Sequence, residues 1–288
     1  MNVLITGSSG QVGHEWVSYA RSRGWEVLAP TSTELDLMQL EKLEAYLETY
    51  RPEQVINCAA WTDVDGAESS PEQAFRINRD AVERIAQWTG KHRVPLIHYS
   101  TDYVFPGRAS DRERYPSGYP EDAQTGPINI YGESKRAGEM AVLAQDPHAL
   151  ILRLSWVCGR HGSNFLKTML RLAAERDHLQ VVDDQIGSPT WAHTVPSVSA
   201  ALVDRSKRGI FHLSQSGRAT WYELACELFR VAGVTIRVEP VSSDAFPRPA
   251  PRPRFSRLNL NKVTGAIGKQ PTGWREELPK LVDQLRSR

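Results

Sequence analysis

Three side chains between residues 97 and 135 have the chemistry to move a proton to a carbonyl oxygen. Thr101 follows the apolar run at residues 97–100, and Tyr131 precedes Lys135 by four residues. Residues four apart in a helix lie on one face, one turn from each other. Lys135 can lower the pKa of Tyr131 by its positive charge, and a tyrosine hydroxyl can act as a general acid. Taken alone, the Tyr-x-x-x-Lys pair could be two residues on the surface of a helix. Together with Thr101, the pattern predicts a proton-transfer site.

A glycine-rich turn near the start of the chain could bind the cofactor that such a site requires. The apolar run at residues 2–6 is followed by Gly7, Gly10 and Gly13, and apolar residues at helical spacing come next. Glycines between a strand and a helix permit a tight turn and let the backbone approach a pyrophosphate at the helix N-terminus. The spacing is G-x-x-G-x-x-G, and an ordinary strand-to-helix turn is the alternative. We expect a dinucleotide site here.

The second predicted strand, residues 25–29, bears on which dinucleotide is bound. An acidic residue at the end of this strand commonly binds the ribose hydroxyls of NAD. Residues 30–33 read Pro-Thr-Ser-Thr, with neither an acid nor an arginine. We therefore predict NADPH as the cofactor, with NADH as an alternative. Asp36 precedes the next predicted helix, where it either favours the helix dipole or reaches the adenine.

Strands and helices alternate through the rest of the first half. The predicted elements cover residues 54–60, 71–89, 94–100, 130–145 and 149–155. This alternation is typical of an α/β fold with a doubly wound parallel Rossmann sheet. Asn78 lies in the first of these helices and is either a solvated or capping residue or a polar tie to the active-site loops. The Gly- and Pro-rich segment at residues 106–128 is typical of a lid.

The pattern changes after Ser155, and we predict a smaller C-terminal α/β substrate lobe. The dinucleotide-binding Rossmann domain is predicted to cover residues 1–155 and about 183–213, and the lobe to cover residues 156–182 and 214–288.

Two features of the predicted lobe suggest ligand contacts. Trp156 follows a strand end, where it is either part of the core or a stacking platform for a sugar or base. The segment at residues 246–257 is rich in proline and arginine. An SH3-type ligand or a flexible tail is one interpretation. We favour an ordered loop that presents Arg252, Arg254 or Arg257 to a phosphate or carboxylate.

Composition points to a globular protein with a small-molecule substrate. The 288 residues carry a formal net charge of +1, which gives no reason to propose nucleic acid or a membrane as a partner. The three cysteines are far apart, and no histidines have metal-ligand spacing. No apolar run is long enough for a membrane span, and the start of the chain does not read as a signal peptide. We expect a cytoplasmic protein without a metal.

Several segments together resemble the extended short-chain dehydrogenase/reductases. The resemblance covers nearly the whole chain and is carried by residues 7–15, 57–69, 98–107, 131–135, 153–157, 164–169, 184–190 and 252–258. It implies reduction of the 4-keto group of dTDP-6-deoxy-L-lyxo-4-hexulose to give dTDP-L-rhamnose, a precursor of cell-surface polysaccharide. The alternatives are a reductase of another nucleotide-linked 4-keto-6-deoxy sugar and a non-catalytic regulatory subunit. An epimerase or dehydratase would need further acid–base residues beside the tyrosine.

The resemblance also implies roles for individual residues. Tyr131 would donate the proton, and Thr101 would tune Tyr131 as a donor. Lys135 would support both the tyrosine and the cofactor. The implied cofactor contacts, besides Tyr131 and Lys135, are Gly7, Gly10, Gln11, Val12, Gly13, Asp36, Leu37, Ala59, Ala60, Trp61 and Thr62. The implied substrate contacts are Thr101, Asp102, Tyr103, Trp156, Asn164 and Arg257.

Two positions depart from the family pattern. Some members hold Mg²⁺ at a dimer interface through glutamates, and this sequence keeps Glu15 but has His193 at the other position. We therefore expect no metal and a monomer or weak homodimer. Trp61 stands where a smaller or imidazole side chain is common, which would alter the nicotinamide pocket.

Overall fold

The structure, a computed structural model, describes residues 1–286. Its largest feature is a six-stranded parallel sheet. The strands of the described chain are β1 (Asn2–Thr6), β2 (Glu26–Leu28), β3 (Gln54–Asn57), β4 (Leu96–Thr101), β5 (Leu150–Leu154), β6 (Val157–Cys158), β7 (His178–Val182), β8 (Ile186–Gly187), β9 (Thr190–Trp191), β10 (Gly209–Leu213), β11 (Ala219–Thr220) and β12 (Arg237–Val241).

Helices follow most of these strands. Within residues 1–286 the α-helices are α1 (Gln11–Ser22), α2 (Leu40–Tyr50), α3 (Val64–Ser69), α4 (Pro71–Phe75), α5 (Ala81–His92), α6 (Asp111–Arg114), α7 (Ile130–Gln145), α8 (Phe165–Glu175), α9 (Val195–Asp204), α10 (Trp221–Ala232), α11 (Asn261–Ile267) and α12 (Trp274–Arg286). A π-helical turn, Arg76–Asp80, joins α4 to α5. Thr220 caps α10 in a capping box, as its position before the helix predicts.

The large sheet has the strand order β2-β1-β3-β4-β5-β10. Strand β1 pairs in parallel with β2 on one side and with β3 on the other. The strand order therefore reverses direction at β1. Such a reversal opens a crevice at the carboxyl ends of the two strands. The order confirms the predicted doubly wound parallel Rossmann sheet.

Apolar side chains cover both faces of this sheet. On one face Val3 and Ile5 of β1 pack in a cluster with Trp16 of α1. On the other face Leu4 packs in a cluster with Leu43 and Leu47 of α2. Alternate residues of one strand are therefore buried on opposite faces, as expected for a parallel sheet covered by helices on both sides.

A second group of elements packs around α8, α10 and α12. Three two-stranded sheets belong to the described chain outside the large sheet: β6-β9, β7-β12 and β8-β11. Trp191, Leu228 and Trp274 share one buried cluster there. The predicted division of the chain would also give α11 to the smaller lobe. Val263 of α11, however, lies in the core of the large sheet because α11 packs on β10 and α9.

Three elements of five or more residues differ from the sequence-based expectation. The helix predicted at residues 71–89 is interrupted by the π-helical turn, which local apolar spacing does not reveal. Helix α3 occupies residues with no predicted element. Strand β12 was also not predicted, and it forms because β7 supplies hydrogen-bond partners distant in sequence.

The segment at residues 106–128, expected to be a lid, is anchored by packing. The buried ring of Tyr119 stacks on Phe105 with ring centroids 4.3 Å apart. The Tyr119 hydroxyl donates a hydrogen bond to Asp111 and accepts one from the Gly107 amide. These buried contacts fix the middle of the segment against the body of the protein.

Candidate active site

A cavity of about 750 Å³ lies at the carboxyl ends of β1, β3 and β4. It occupies the crevice that the strand order creates. Most of the predicted site residues line it, namely Gly7, Gly10, Gln11, Val12, Asp36, Leu37, Ala59, Ala60, Thr62, Thr101, Asp102, Tyr103, Tyr131, Lys135 and Trp156. The structure therefore brings together residues that are up to 149 positions apart, from Gly7 to Trp156.

The glycine-rich turn is closed so tightly that it requires glycine at two positions. Gly7 has a φ of +63°, and a Cβ atom there would lie 2.6 Å from the Ala59 amide nitrogen. A Cβ atom on Gly13 would lie 2.1 Å from the Gly7 carbonyl oxygen. Helix α1 begins after Gly10 with no side-chain hydrogen bond to its first N–H groups. Such an uncapped helix end beside a cavity fits the pyrophosphate of a dinucleotide.

Asp36 lies in the turn before α2, and its expected contact with the adenine stays a prediction. Its carboxylate accepts hydrogen bonds from the Gln39 side chain (3.0 Å) and the Met38 amide (2.9 Å). These bonds hold the pKa of Asp36 below its usual range. Asp36 thus stabilises the turn before α2, and with Leu37 it also forms one wall of the cavity.

Asn78 ties helix α7 to the loop after β3. Its side-chain oxygen accepts a hydrogen bond from the Trp61 amide (2.9 Å), and its side-chain nitrogen donates to the Trp61 carbonyl (3.1 Å) and the Ser134 hydroxyl (2.9 Å). Asn78 is fully buried and lies in the π-helical turn. Of the two predicted roles for Asn78, the polar tie is therefore confirmed, and the solvated or capping role is not.

Helix α7 places Lys135 deep beneath the cavity. The Lys135 ammonium group donates a 2.6 Å hydrogen bond to the Tyr99 carbonyl of β4. Burial lowers the pKa of Lys135 to about 8, and the Glu139 carboxylate one turn away opposes this change. Lys135 thus carries its charge at neutral pH.

Tyr131 lies one turn before Lys135 and faces Thr101. Burial raises the pKa of Tyr131 to about 12, whereas the Thr101 hydroxyl lowers it and the Asp102 carboxylate raises it further. The expected lowering of the Tyr131 pKa by Lys135 is therefore wrong, because burial dominates and the opposing effect comes from the Thr101 hydroxyl. The Tyr131 hydroxyl remains protonated at neutral pH, as a proton donor must be.

Asp102 begins the short turn after β4 and is buried beside Thr101. The Thr101 hydroxyl donates to one Asp102 carboxylate oxygen (3.1 Å) and accepts from the Tyr103 amide (3.2 Å). The second Asp102 oxygen, Oδ2, has no hydrogen-bond partner within residues 1–286. Burial raises the pKa of Asp102 to about 7, with Ser256 and Thr101 opposing the shift. Asp102 also lines the cavity, so a ligand there would lie beside its carboxyl group.

Trp156 forms one wall of the cavity in a strained backbone conformation. Its φ is +48°, in the left-handed region that bulky residues rarely adopt. Its ring stacks on Trp221 with centroids 3.6 Å apart and planes 9° apart. A Cβ atom on Gly187 would lie 2.5 Å from the Trp156 ring. Trp156 thus acts as a stacked wall, and Trp221, which sequence reasoning missed, supports it from the start of α10.

A second cavity, of about 1260 Å³, adjoins the first, and Tyr103 and Trp221 line both. Arg248, Arg252 and Arg254 also line it, from the segment at residues 246–257. That segment is an ordered loop, as predicted. In the structure its arginines bind carboxylates of the protein, with Arg252 3.0 Å from Asp65 and Arg254 2.6 Å from Asp184.

Four predicted site residues lie outside the lining of the first cavity. Gly13 packs against the glycine-rich turn, and the Trp61 indole donates to the Asp63 carbonyl (2.9 Å). Asn164 caps α8 and donates to Gln11 (2.9 Å), so it contacts the cavity wall from behind. Arg257 donates to the Pro116 carbonyl (2.8 Å).

Metal ligands are not assembled in the described part of the chain. Residues 1–286 contain no group of three or more His, Cys, Asp or Glu side chains placed to hold a metal ion. His193 lies 3.6 Å from Glu277, and burial lowers the pKa of this histidine. In the same range, no helix is long and apolar enough to cross a membrane.

Comparison with known proteins places this site in a family. The model of the family described as RmlD substrate binding domain matches residues 1–287 of this chain. The chain belongs to this family. The match spans both the glycine-rich turn and the segment at residues 246–257.

Relatives of the family with known names agree over nearly the full length. A dTDP-4-dehydrorhamnose reductase of Sinorhizobium fredii is 39% identical, with 98% of this chain and 97% of the relative covered. A dTDP-4-keto-6-deoxy-D-glucose reductase of Streptomyces niveus is 40% identical, with coverage of 88% and 87%. The crystal structure of dTDP-4-dehydrorhamnose reductase from Bacillus anthracis in complex with NADP has a TM-score of 0.92 at 35% identity and covers 98% of this chain and 99% of that one.

Proposed function

We propose that this protein is an NAD(P)H-dependent reductase that converts dTDP-6-deoxy-L-lyxo-4-hexulose (dTDP-4-dehydrorhamnose) to dTDP-L-rhamnose. The observation that carries the proposal is that Thr101, Tyr131 and Lys135 line the same cavity as the glycine-rich turn. A relative with 39% identity over 98% of the chain bears the name of this activity. The same catalytic residues argue against a non-catalytic regulatory subunit.

The proposed reaction adds a hydride to the C4 carbon and a proton to the C4 oxygen. NADPH, when bound, supplies the hydride. Tyr131 donates its hydroxyl proton to the oxygen, and Thr101 orients that oxygen by a hydrogen bond. Lys135 would hold the ribose of the cofactor, and its charge would stabilise the tyrosinate until solvent returns a proton. The buried position of these groups strengthens each of these interactions.

The cofactor would extend from the glycine-rich turn to the catalytic residues. Gly7, Gly10 and the first turn of α1 would bind the pyrophosphate, and Asp36 would contact the adenine end. NADPH is the preferred form because residues 30–33 provide hydroxyls and no carboxylate that would exclude a 2′-phosphate. A related structure contains NADP, which supports this assignment.

The sugar nucleotide would occupy both cavities. The keto sugar would lie in the first cavity against Asp102, Tyr103 and Trp156. The dTDP group would extend past Tyr103 and Trp221 into the second cavity, where the charge of Arg252 suits a diphosphate. Arg257 and Asn164, which lie outside the first cavity, are placed to support this binding surface rather than to line it.

Purified protein with dTDP-6-deoxy-L-lyxo-4-hexulose and NADPH tests the proposal. We expect NADPH oxidation matched by the formation of dTDP-L-rhamnose, identified by NMR spectroscopy. Absence of turnover with this substrate, while a positive-control reductase consumes it, would reject the assigned substrate.

A second substrate assignment is favoured by one relative. The Streptomyces niveus protein, 40% identical, is named for reduction of dTDP-4-keto-6-deoxy-D-glucose. The same residues would reduce that sugar, whose stereochemistry differs in the ring that contacts Trp156. A comparison of kcat/KM for the two keto sugars decides between the assignments.

Three further expectations accompany the proposal. The protein acts in the cytoplasm, and it is a monomer or weak homodimer. The Rossmann domain of residues 1–155 and about 183–213 binds the cofactor, and residues 156–182 and 214–288 form most of the substrate lobe. Sedimentation velocity over a range of protein concentrations tests the oligomeric state.

A further inference from the structure

Residues 159–163 connect β6 to α8 and cross the first turn of α1; we call this segment the cover loop. Gly162 and Ser163 line the first cavity together with the glycine-rich turn. A Cβ atom on Gly162, whose φ is +65°, would lie 3.2 Å from the Gln11 side chain. The cover loop therefore lies over the helix end that fits a pyrophosphate.

Two side chains at the start of α8 hold the cover loop in place. The Lys167 ammonium group donates to the Arg160 carbonyl (2.9 Å) and the Gly162 carbonyl (2.8 Å). The Asn164 side-chain nitrogen donates to the Gly159 carbonyl (2.7 Å) and to the Gln11 side-chain oxygen (2.9 Å). Four hydrogen bonds thus tie the loop to α8 and, through Gln11, to α1.

An aromatic contact fastens the middle of the cover loop to α1. The rings of His161 and His14 stack with centroids 3.5 Å apart and planes 10° apart. Burial lowers the pKa of His161, and His14, Arg160 and Lys167 act in the same direction. The stack is therefore between a neutral His161 ring and its neighbour at neutral pH.

We propose that the cover loop closes over the pyrophosphate of the bound cofactor, and that Asn164 and Lys167 are positioning residues that control cofactor exchange. Gly162 and Ser163 line the cavity beside the glycine-rich turn, so lifting the loop widens the exit for a pyrophosphate bound there. Lifting breaks the hydrogen bonds from Asn164 and Lys167 to the loop carbonyls. The inference rests on the proposed function only in assigning the first cavity to a dinucleotide.

Two substitutions remove these bonds, and each makes the net charge more negative by one, as the control below also does. Asn164→Asp keeps the oxygen that caps the Lys167 amide (3.1 Å) but removes both donated hydrogen bonds. Lys167→Met keeps the aliphatic stem and removes the ammonium group. Lys91→Met, at an exposed position near the end of α5, is the matched control.

Stopped-flow fluorescence of NADPH measures association and dissociation separately. We expect both loop variants to release NADPH about two- to tenfold faster than wild type, without slower association, because hydrogen bonds of this kind contribute modestly each. Hydrogen exchange of the Gly162 and Ser163 amides in the free protein should also accelerate. Lys91→Met should match wild type in every measurement.

The outcomes separate this inference from the proposed function. If wild type binds NADPH and both variants release it at the wild-type rate, the role of the cover loop is rejected and the proposed function stands. Slower association with unchanged hydrogen exchange would also reject it, since that result indicates a damaged site rather than an opened cover. If wild type binds neither NADPH nor NADH, both the proposed function and this inference fail.

Discussion

Burial controls the protonation of two acids that line the first cavity beside Thr101. The pKa of Tyr131 rises to about 12, so this hydroxyl holds its proton throughout the neutral range. The pKa of Asp102 rises to about 7, so this carboxyl group is partly protonated at neutral pH. Loss of the Asp102 charge also removes a repulsion that a tyrosinate at position 131 would experience. Burial therefore keeps the Tyr131 hydroxyl protonated and also favours the uncharged form of Asp102.

Tyr131→Phe tests the proton donor directly. We expect kcat with the keto sugar to fall about 10²- to 10⁴-fold, because general acid catalysis typically contributes that much. NADPH binding, measured by fluorescence titration, should remain within about twofold of wild type. Tyr50→Phe, at an exposed position on α2, is the control. Unchanged turnover in Tyr131→Phe would contradict the assigned mechanism.

Asp102→Asn tests the buried carboxyl group through stability. The folded-state pKa of about 7 lies above the ordinary aspartate pKa of 3.8. The stability contributed by the protonated carboxyl group is therefore fully present below about pH 4 and is lost as the pH rises through 7. We expect the variant to gain stability relative to wild type between pH 5 and 8, by on the order of 1–4 kcal/mol at the upper end. Urea unfolding at several pH values measures the difference.

The exposed substitution Asp204→Asn provides the control for this experiment. Its stability difference from wild type should stay flat across the same pH range. A flat difference for Asp102→Asn as well would contradict the raised pKa.

At the scale of secondary-structure elements, the π-helical turn at residues 76–80 fixes the position of α7 relative to the loop after β3. A π-helical turn widens the helix and often marks a functional site. Here it carries Asn78, which bonds both backbone groups of Trp61 and the hydroxyl of Ser134. Ser134 directly precedes Lys135, so one side chain relates the loop after β3 to the catalytic pair.

Asn78→Ala should therefore affect stability and cofactor binding together. Loss of three buried hydrogen bonds should lower the free energy of unfolding by about 1–3 kcal/mol. The KM for NADPH should rise more than the KM for the sugar, because the Trp61 loop adjoins the cofactor. Asn261→Ala, at an exposed position in α11, is the control. An equal rise in both KM values would argue for general loosening of the site.

Sequence reasoning succeeded for elements whose signal is local. Helix α7 has the predicted bounds of residues 130–145, because a cap, an apolar face and a polar face all lie within that stretch. Strand β5 lies within the predicted residues 149–155. The π-helical turn and β12 depend on partners far along the chain, such as Trp61 and β7, and no local pattern encodes them.

The site was predicted in the same uneven way. Tyr131, Lys135 and Thr101 line one cavity. They could be predicted because their residue types and spacing indicate their chemistry. The effect of Lys135 on the tyrosine pKa was overestimated, since the depth of burial is a property of the folded molecule. Asn164 was predicted to contact substrate, but its position beside Gln11 depends on how α8 meets α1.

At the scale of the whole molecule, one loop joins the two groups of elements around the cavities. Arg252 binds Asp65 of α3, beside the large sheet, and Arg254 binds Asp184 between β7 and β8. The loop that contains both arginines also lines the second cavity. Substrate that binds there therefore contacts a segment anchored on both sides, which favours a site assembled before binding.

Cofactor binding should stabilise the whole molecule to an extent set by affinity. A ligand at about a hundred times its Kd adds about 2.7 kcal/mol to the free energy of unfolding. We expect NADPH to raise Tm at lower concentrations than NADH, since residues 30–33 carry hydroxyls and no acid. Differential scanning fluorimetry with both nucleotides measures this. A Tm that responds to NADH alone would contradict the cofactor preference.

The contact between Trp156 and Gly187 has a consequence for how this site can vary. The indole occupies the space that any side chain at position 187 would need, with 2.5 Å to a Cβ atom there. The two positions should therefore change together. Gly187→Ala alone should lower Tm, whereas Gly187→Ala with Trp156→Leu should recover much of that loss, a coupling that a double-mutant cycle measures. A library intended to widen the sugar pocket must vary both positions at once, because either single step passes through a less stable protein.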